Sequence, residues 1–141
     1  MRFRTATRAD VDAIVAIDHV ASSEGARVEL IVREVEASAC HVALARDSVV
    51  AYAVLNYKFY DNGWMEMLHV EPSFRRRGVG SSLVRHLTKR CRTPKLFTST
   101  NRSNVPMRHL LEALGFDRSG TIDNLDDGDP ELVYLERLAV A

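Results

Sequence analysis

The chain has 141 residues, of which 46% are hydrophobic and 27% are charged, a balance typical of a globular domain rather than of a disordered or fibrous chain. Lys plus Arg and Asp plus Glu each total 19, so the net charge is zero and no long-range field favours a nucleic acid or an anionic membrane as partner. The length predicts one domain over residues 1–141.

The N-terminal part of the chain predicts one strand followed by two helices. Residues 3–7 have the composition of a strand, and Thr7 with Asp10 three residues later matches a capping box at the start of a helix. A second helix is expected over about 26–37, because its apolar residues repeat at helical spacing. The inward-facing residues are Val11, Ile14 and Ile17 in the first helix, and Val28, Ile31, Val32 and Val35 in the second.

The middle of the chain predicts a meander of three strands. Residues 41–45 and 49–57 are rich in β-branched and aromatic residues and flank a short polar turn, as in a hairpin. Residues 64–72 follow the turn signal Asp61-Asn62-Gly63 and end at Pro72.

The C-terminal half predicts alternating helices and strands. A helix from Gly78 is expected to bury Val79, Leu83, Leu87 and Cys91. A strand at 96–100 precedes a helix capped by Asn104, and strands near 116–122 and 131–138 complete the chain. The order βααβββαβαββ predicts an α/β fold with a mixed, mostly antiparallel sheet of about seven strands and helices on both faces.

Location, redox state and metal content are predicted from what the sequence lacks. No apolar run is long enough to span a bilayer, and the N-terminus lacks the apolar stretch of a signal peptide, so we expect a cytoplasmic location. Cys40 and Cys91 are far apart and form no CxxC, which favours reduced, buried thiols. The histidines show no HxxxH or HExxH spacing, and we expect no metal site; they are His19, His41, His69, His86 and His109.

The stretch Phe74–Ser82, FRRRGVGSS, places three arginines before Gly-x-Gly at the start of a predicted helix. Backbone N–H groups and the positive end of a helix dipole meet there, which predicts an anion site. The spacing of a Walker loop is missing, and Leu83 stands where a dinucleotide fingerprint requires a third glycine. The simple alternative is a solvated basic turn.

Two motifs make the choice of anion specific. The register Leu68-x-Val70-x-Pro72-x-x-Arg75-x-x-Gly78-x-Gly80 resembles the acyl-CoA signature of the GNAT superfamily of N-acetyltransferases, whose central motif is Arg/Gln-x-x-Gly-x-Gly/Ala. Residues 104–116, NVPMRHLLEALGF, resemble the second motif of that family, an Asn-capped helix that closes with Gly-Phe. The order of predicted elements also resembles the family fold over nearly the whole chain.

The resemblance implies acetyl-CoA as cosubstrate. The loop amides and arginines would bind the pyrophosphate, the main chain of the fourth strand would bind the pantetheine, and Asn104 would touch the pantetheine arm unless it is only a helix cap. The side chains of Leu68 and Val70 are expected in the core, and that of His69 is expected to face away and be structural. The candidate CoA-binding residues are Leu68, His69, Val70, Arg75, Arg76, Arg77, Gly78, Val79, Gly80, Ser81 and Asn104.

Acetyl transfer to an amine requires a base, because a free alkyl ammonium has a pKa of about 10. Glu66 is the candidate, since strand alternation places it on the face of Leu68 and Val70; an ordinary exposed carboxylate is the alternative. Many family members carry a tyrosine acid seven residues after the motif asparagine, where Leu111 stands here. Water, backbone donors or another hydroxyl would replace it, and the candidate hydroxyls are those of Tyr57, Tyr60 and Tyr134.

The segment DNLDDGDPE at 123–131 carries five carboxylates between the last two predicted strands. It is either a solvated hairpin turn or a counter-charge for a cationic acceptor, because in the family fold this connection borders the acceptor entrance. The predicted acceptor is therefore a cationic small molecule or a basic peptide, and a homodimer is compatible with the sequence. The alternatives are a CoA-binding module with little or no turnover and a nucleic-acid-binding domain, which the neutral net charge disfavours.

Overall fold

The computed structural model describes residues 1–139, and within them the strands and α-helices follow the predicted order. The strands are β1 (Arg2–Thr5), β2 (Cys40–Ala45), β3 (Ser48–Phe59), β4 (Asn62–Val70), β5 (Lys95–Asn101), β6 (Asp117–Ile122) and β7 (Glu131–Arg137). The helices are α1 (Val11–Ile17), α2 (Gly25–Glu36), α3 (Val79–Thr88) and α4 (Val105–Ala113). Short 3₁₀ turns at Arg8–Asp10 and Pro72–Phe74 precede α1 and α3.

The strands form one sheet in the order β1-β2-β3-β4-β5-β7-β6. The pairs β1–β2, β2–β3, β5–β7 and β6–β7 are antiparallel, whereas β4 and β5 are parallel. The predicted mixed, mostly antiparallel sheet is therefore confirmed. Over the described residues, none of the helices is long and apolar enough to cross a membrane.

The chain forms two compact units, which are described separately. The first unit contains Met1–Leu55 and Met67–Lys89, and the second contains Asn56–Glu66 and the chain from Arg90 onward. Strands β3 and β4 contribute residues to both units. The single domain over residues 1–141 stays a prediction.

The core of the first unit is formed by the apolar faces of its helices and the strands they cover. Ile14 of α1 and Ile31 of α2 are fully buried in one cluster with Val54 of β3, as the helical spacing predicted. Burying such a side chain contributes about 1.5–3 kcal/mol, so these contacts hold the helices on the strands. Glu34 of α2 is also buried, which the apolar pattern did not indicate.

The predicted capping box forms, and it shortens the first strand. Strand β1 ends at Thr5 because the N–H of Thr7 donates to Oδ2 of Asp10 at 2.7 Å and begins the 3₁₀ turn before α1. Arg4 donates two bonds to the same carboxylate, at 2.7 and 2.9 Å. The hydrogen bonds from Arg4, with those from Thr7, lower the pKa of Asp10 to about 2.

Asp10→Asn is expected to lower the free energy of unfolding by about 1–2 kcal/mol at pH 7. The pKa of Asp10 is about 2 in the folded protein against 3.8 as the ordinary value, so its stabilisation is complete above about pH 4 and is lost as the pH falls towards 2. Urea unfolding should therefore show a smaller difference between variant and wild type at pH 3 than at pH 7.

The matched control is Asp12→Asn, an exposed carboxylate on α1, which should change stability by less than about 0.5 kcal/mol at either pH. An Asp10→Asn difference that is equal at both pH values would contradict the role of the Arg4 ion pair.

Helix α3 ends one turn earlier than predicted. It stops at Thr88, so Cys91 lies outside the helix and is half-buried, and its prediction as a buried helical residue was wrong. The hydroxyl of Thr88 donates to the carbonyl of Arg85 at 2.8 Å. It therefore competes with the helix backbone for this carbonyl, which weakens the last turn. The buried positions predicted correctly are Val79, Leu83 and Leu87.

Both cysteines are free thiols, and close packing determines the surroundings of each. Cys40 is buried, and burial raises the pKa of its thiol to about 12. Cys91 lies against Gly63 of β4 so closely that a Cβ atom at position 63 would overlap its Sγ atom and lie 3.2 Å from the carbonyl oxygen of Lys95. Glycine at position 63 is therefore required by the close approach of these segments.

Candidate active site

A basic loop, defined here as Pro72–Ser81, follows β4 in the first unit and includes the first residues of α3. Its 3₁₀ turn is closed by bonds from the N–H groups of Phe74 and Arg75 to the preceding carbonyls, at 2.8 and 3.2 Å. The side chains of Arg75, Arg76 and Arg77 are exposed, and the guanidinium of Arg77 lies 5.1 Å from the centroid of the Phe74 ring. The loop thus presents its predicted cations to solvent just before a helix begins.

The backbone of the basic loop is left-handed at two residues, Arg76 with φ 63° and Gly78 with φ 77°. This conformation costs a non-glycine residue about 1–2 kcal/mol, so Arg76 is strained. Left-handed residues beside right-handed ones direct neighbouring N–H groups towards one concave side, the arrangement of anion-binding nests. A Cβ atom at Gly78 would meet no described atom within 4 Å, so this side of the loop is open.

Helix α3 is held firmly behind the basic loop. Leu83 and Leu87 are fully buried, and His86 is 8% exposed with its Nε2 atom 3.1 Å from Nδ1 of His41 on β2. The first turn of a helix leaves its N–H groups without intrahelical acceptors and carries the positive end of the helix dipole. An anion at the basic loop would therefore meet a fixed set of donors.

Along β4, the main-chain N–H and C=O groups of successive residues point to opposite edges of the strand. The N–H of Glu71 donates to the carbonyl of Val50 on β3 at 2.8 Å, so strand alternation turns the groups of Val70 and Leu68 towards the other edge. The carbonyl of Val70 accepts a bond from Nε of Arg75 at 3.1 Å. The side chains of Leu68 and Val70 are half-buried rather than in the core, because this part of β4 is partly open to solvent.

The side chain of His69 has a structural partner. Its Nε2 atom lies 2.7 Å from the carbonyl oxygen of Ile17, at the end of α1, and its ring centroid is 6.1 Å from that of Tyr52. Because a carbonyl only accepts hydrogen bonds, Nε2 of His69 donates this bond and carries the proton. This agrees with the structural role predicted for the side chain, while strand alternation turns the main chain of His69 towards β3, as it does that of Glu71.

Glu66 lies in the second unit at the end of the pairing between β4 and β5. Within the described residues, the parallel register ends with Met65 opposite Thr98, and the hydroxyl of Thr98 donates to the carbonyl of Met65 at 2.8 Å. The side chain of Glu66 is half-buried, and its Oε1 atom accepts a bond from Nδ2 of Asn56 at 2.8 Å. A carboxylate with one oxygen fixed therefore stands one residue beyond the last paired position.

Asn104 caps α4 as predicted. Its Oδ1 atom accepts a bond from the N–H of Met107 at 3.3 Å, and its own N–H donates to the carbonyl of Asn101 at 2.9 Å. Pro106 lies in the first helical turn, where a missing N–H costs nothing. A contact between Asn104 and CoA stays a prediction.

Comparison with known proteins identifies the family. Residues 12–116 match the model of the acetyltransferase (GNAT) family. The chain belongs to this family. A GNAT-family acetyltransferase from Bacillus cereus ATCC 10987 is 32% identical, with a TM-score of 0.92 and coverage of 99% of this chain and 98% of that one. No curated protein matches the sequence.

Two more distant structures share the fold of this GNAT chain. One is an N-acetyltransferase from Staphylococcus aureus Mu50, 20% identical, with a TM-score of 0.80 and coverage of 98% of both chains. The other is an aminoglycoside 6'-N-acetyltransferase complexed with coenzyme A, 13% identical, with a TM-score of 0.84 and coverage of 100% of this chain and 99% of that one. At these identities the likeness concerns the fold alone.

The position at which many GNAT members carry a tyrosine acid is apolar here, since Leu111 of α4 is fully buried. The three candidate tyrosines differ in surroundings. Tyr60 is 86% exposed at the β3–β4 turn, the hydroxyl of Tyr57 accepts a main-chain N–H bond at 3.0 Å, and the hydroxyl of Tyr134 is 3.5 Å from Glu112. The hydroxyls of Tyr57 and Tyr134 in this GNAT chain are thus engaged within the second unit.

The acidic turn, residues 123–131, is exposed over 123–128 and half-buried over 129–131, and two of its carboxylates form hydrogen bonds. Asp129 accepts bonds from the N–H and hydroxyl of Ser103 at 3.0 and 2.6 Å, and these bonds lower its pKa. Asp126 accepts a bond from the amide of Asn101 at 2.9 Å. Both carboxylates therefore bond to the segment before α4, and the solvated hairpin stays one of the two interpretations of the turn.

Sequence reasoning missed a buried ionic cluster in the first unit of this GNAT chain. Asp18 is 1% exposed and accepts bonds from the hydroxyl of Tyr52, from Arg27 at 2.9 Å and from the N–H of Val20 at 3.0 Å. Burial alone would raise the pKa of Asp18, but the bonds from Tyr52, from the N–H of Ala21 and from Arg27 outweigh it and lower the pKa. The cluster fixes the connection between α1 and α2, and an aspartate at a helix end was its only sequence signal.

In the part of the chain that the structure describes, no three His, Cys, Asp or Glu side chains are grouped to hold a metal ion.

Proposed function

We propose that this GNAT chain transfers an acetyl group from acetyl-CoA to an amine by direct attack of the amine on the thioester. The observation that carries the proposal is the basic loop. It joins two left-handed backbone residues, open space at Gly78 and three exposed arginines at the start of a buried helix. These features fit a diphosphate, because N–H groups supply geometry and guanidinium groups supply charge.

The predicted CoA contacts divide between the basic loop and β4. The N–H groups from Arg76 to Ser81, through Gly78, Val79 and Gly80, would bind the pyrophosphate, with the arginine side chains around it. Nε of Arg75 donates to the carbonyl of Val70, so its terminal nitrogens would be the ones that bond to the pyrophosphate. The main chain of Leu68 and Val70 would bind the pantetheine amides, and Asn104 stays the proposed contact to its arm.

Glu66 is the proposed base. At neutral pH most of an alkyl amine is protonated, so a proton must leave nitrogen before its electron pair attacks the thioester carbonyl. Glu66 offers a half-buried carboxylate at the point where β4 leaves its pairing with β5. The bond broken next is that to sulfur, and the thiolate of CoA leaves with the bonding electrons.

A CoA-binding module with little turnover is the second candidate, and the buried Leu111 favours it. Without a tyrosine on α4, a departing thiolate, whose conjugate acid has a pKa of about 8.5, would be stabilised by backbone N–H donors and would take its proton from water. At neutral pH such a thiolate is a tolerable leaving group, so the missing tyrosine slows transfer without preventing it.

Release of free thiol from acetyl-CoA with a panel of amines tests the proposal and separates the two candidates. We expect turnover with at least one amine and a rise in melting temperature on addition of acetyl-CoA. Thermal stabilisation without turnover for any amine would establish the binding module. No stabilisation at millimolar acetyl-CoA would reject both.

The proposed acceptor is a cationic small molecule or a basic peptide, because the acidic turn would attract it at low ionic strength. Asp123 and Asp127 are exposed and form no side-chain bond within the described residues. Replacing them therefore removes negative charge from the acidic turn without breaking a hydrogen bond. The double change Asp123→Asn, Asp127→Asn should raise KM for a diamine several-fold and leave KM for acetyl-CoA unchanged.

Raised salt should reduce the effect of the double change, since salt screens the same charge that the double change removes. An unchanged KM for the diamine, or a best substrate that is anionic, would remove the acidic turn from acceptor recognition.

A further inference from the structure

Asn56 is a buried polar residue to which the chemistry above assigns no role. It lies in β3 within the second unit and is 7% exposed. A buried amide is costly unless its donors and acceptor are bonded, so such a residue in a strand is kept for its hydrogen bonds. Its Nδ2 atom is 2.8 Å from Oε1 of Glu66.

The main chain fixes which end of the Asn56 amide faces Glu66. The N–H of Lys58 can only donate, and it lies 3.1 Å from Oδ1 of Asn56. The amide oxygen therefore faces Lys58, and the NH₂ group faces Glu66. Asn56 and Glu66 lie on the two strands of one hairpin. Its short turn contains Tyr60 and Asp61, whose φ angles of 52° and 64° match a tight type I′ turn.

We propose that Asn56 is a positioning residue for Glu66. Its amide donates to Oε1 and holds the carboxylate, so that Oε2 receives the proton of the acceptor ammonium. In this step the N–H bond of the ammonium breaks, an O–H bond forms on Oε2, and the electron pair stays on nitrogen for the attack on the thioester. The inference rests on the proposed function, in which Glu66 is the base.

The physical reason is that a carboxylate on a flexible side chain must be held for efficient proton transfer. A hydrogen bond to an ionised acceptor is shorter and stronger than one to a neutral group, so the Asn56 amide can hold Oε1 of Glu66 in one place. Displacing a reacting group by about 1 Å costs roughly a hundredfold in rate. Loss of the Asn56 donor should therefore lower kcat by about tenfold to a hundredfold.

Asn56→Asp tests this, because it keeps the shape of the side chain and replaces the amide donor by a carboxylate that repels Glu66. Asn56→Ser accompanies it, because its hydroxyl is too short to reach Glu66 and it removes the donor without adding charge. We expect the stated fall in kcat with KM for acetyl-CoA unchanged. Asn62→Asp is the matched control: Asn62 lies on the same hairpin and donates to the carbonyls of Phe59 and Tyr60, so its change alters the turn and should leave kcat nearly constant.

A double-mutant cycle shows whether Asn56 acts through Glu66. In a Glu66→Gln background, Asn56→Asp should lower kcat little further, because the base is already absent. The double variant should also unfold at higher urea than Asn56→Asp alone, because the new amide at position 66 supplies a donor to the new carboxylate at position 56. This stability readout does not depend on turnover.

Three results would overturn the inference: an unchanged kcat in Asn56→Asp, the same loss of kcat in both backgrounds, or a rise in KM for acetyl-CoA as large as the fall in kcat. If Asn56→Asp fails to fold, Asn56→Ser replaces it with the same expectations. Absence of turnover in the wild type would instead reject the proposed function, and the positioning role with it.

Discussion

Gly78→Glu should abolish the rise in melting temperature that acetyl-CoA gives the wild-type protein. A carboxylate would occupy the open space in front of Gly78, where the proposed pyrophosphate lies, and would repel it. Wild-type protein at a hundred times the dissociation constant should gain about 2.7 kcal/mol, and the variant should gain nearly nothing. Differential scanning fluorimetry with and without acetyl-CoA measures both.

The control for this variant is Gly78→Ala. Any non-glycine residue at φ 77° is strained by about 1–2 kcal/mol, so both variants should melt below the wild type without ligand. The alanine Cβ meets no described atom within 4 Å and adds no charge, so Gly78→Ala should keep most of the acetyl-CoA effect. Full stabilisation of Gly78→Glu by acetyl-CoA would place the diphosphate elsewhere.

Glu66→Gln should lower kcat by roughly a hundredfold and change acetyl-CoA affinity little, because the amide keeps the shape of the side chain and cannot accept a proton. The loss should shrink as the pH rises towards about 10, where the amine is deprotonated without help. Steady-state rates from about pH 6 to 10, with acetyl-CoA binding measured separately by calorimetry, give both quantities.

A pH profile of Glu66→Gln parallel to that of the wild type would show that Glu66 does not remove the proton. Glu71→Gln is the comparison variant, because Glu71 is also a carboxylate near the end of β4 but forms its side-chain bond with Ser73. It should keep wild-type kcat and pH dependence.

Local sequence patterns predicted those features that depend on neighbouring residues. Thr7 with Asp10 gave the first capping box, and Asn104 gave the cap of α4, because each cap closes on residues three positions away. The apolar spacing of Leu83 and Leu87 likewise predicted their burial in α3. The basic loop was found by its Gly-x-Gly motif, and the first of these glycines, Gly78, adopts a left-handed conformation that favours glycine.

Features that depend on distant residues were not predictable from the same patterns. Asp18 and Tyr52 are 34 positions apart, and His41 and His86 are 45 apart, so no local spacing links either pair. The bond from Ser103 to Asp129 has the same origin, and it joins the acidic turn to the segment before α4. The bond from Asn56 to Glu66 was missed because the sequence of an apolar strand does not indicate which residue a polar side chain in it will contact.

The contact between Gly63 and Cys91 has an evolutionary consequence. Since a single added carbon at position 63 would overlap the sulfur of Cys91, the two positions share one small volume. A substitution at 63 would require the side chain of residue 91 to shift or become smaller, and the new Cβ atom would still lie 3.2 Å from the carbonyl oxygen of Lys95, so the order of mutations matters. Related sequences that keep this hairpin should therefore show correlated replacement at 63 and 91, with the thiol at 91 retained for its size rather than for its reactivity.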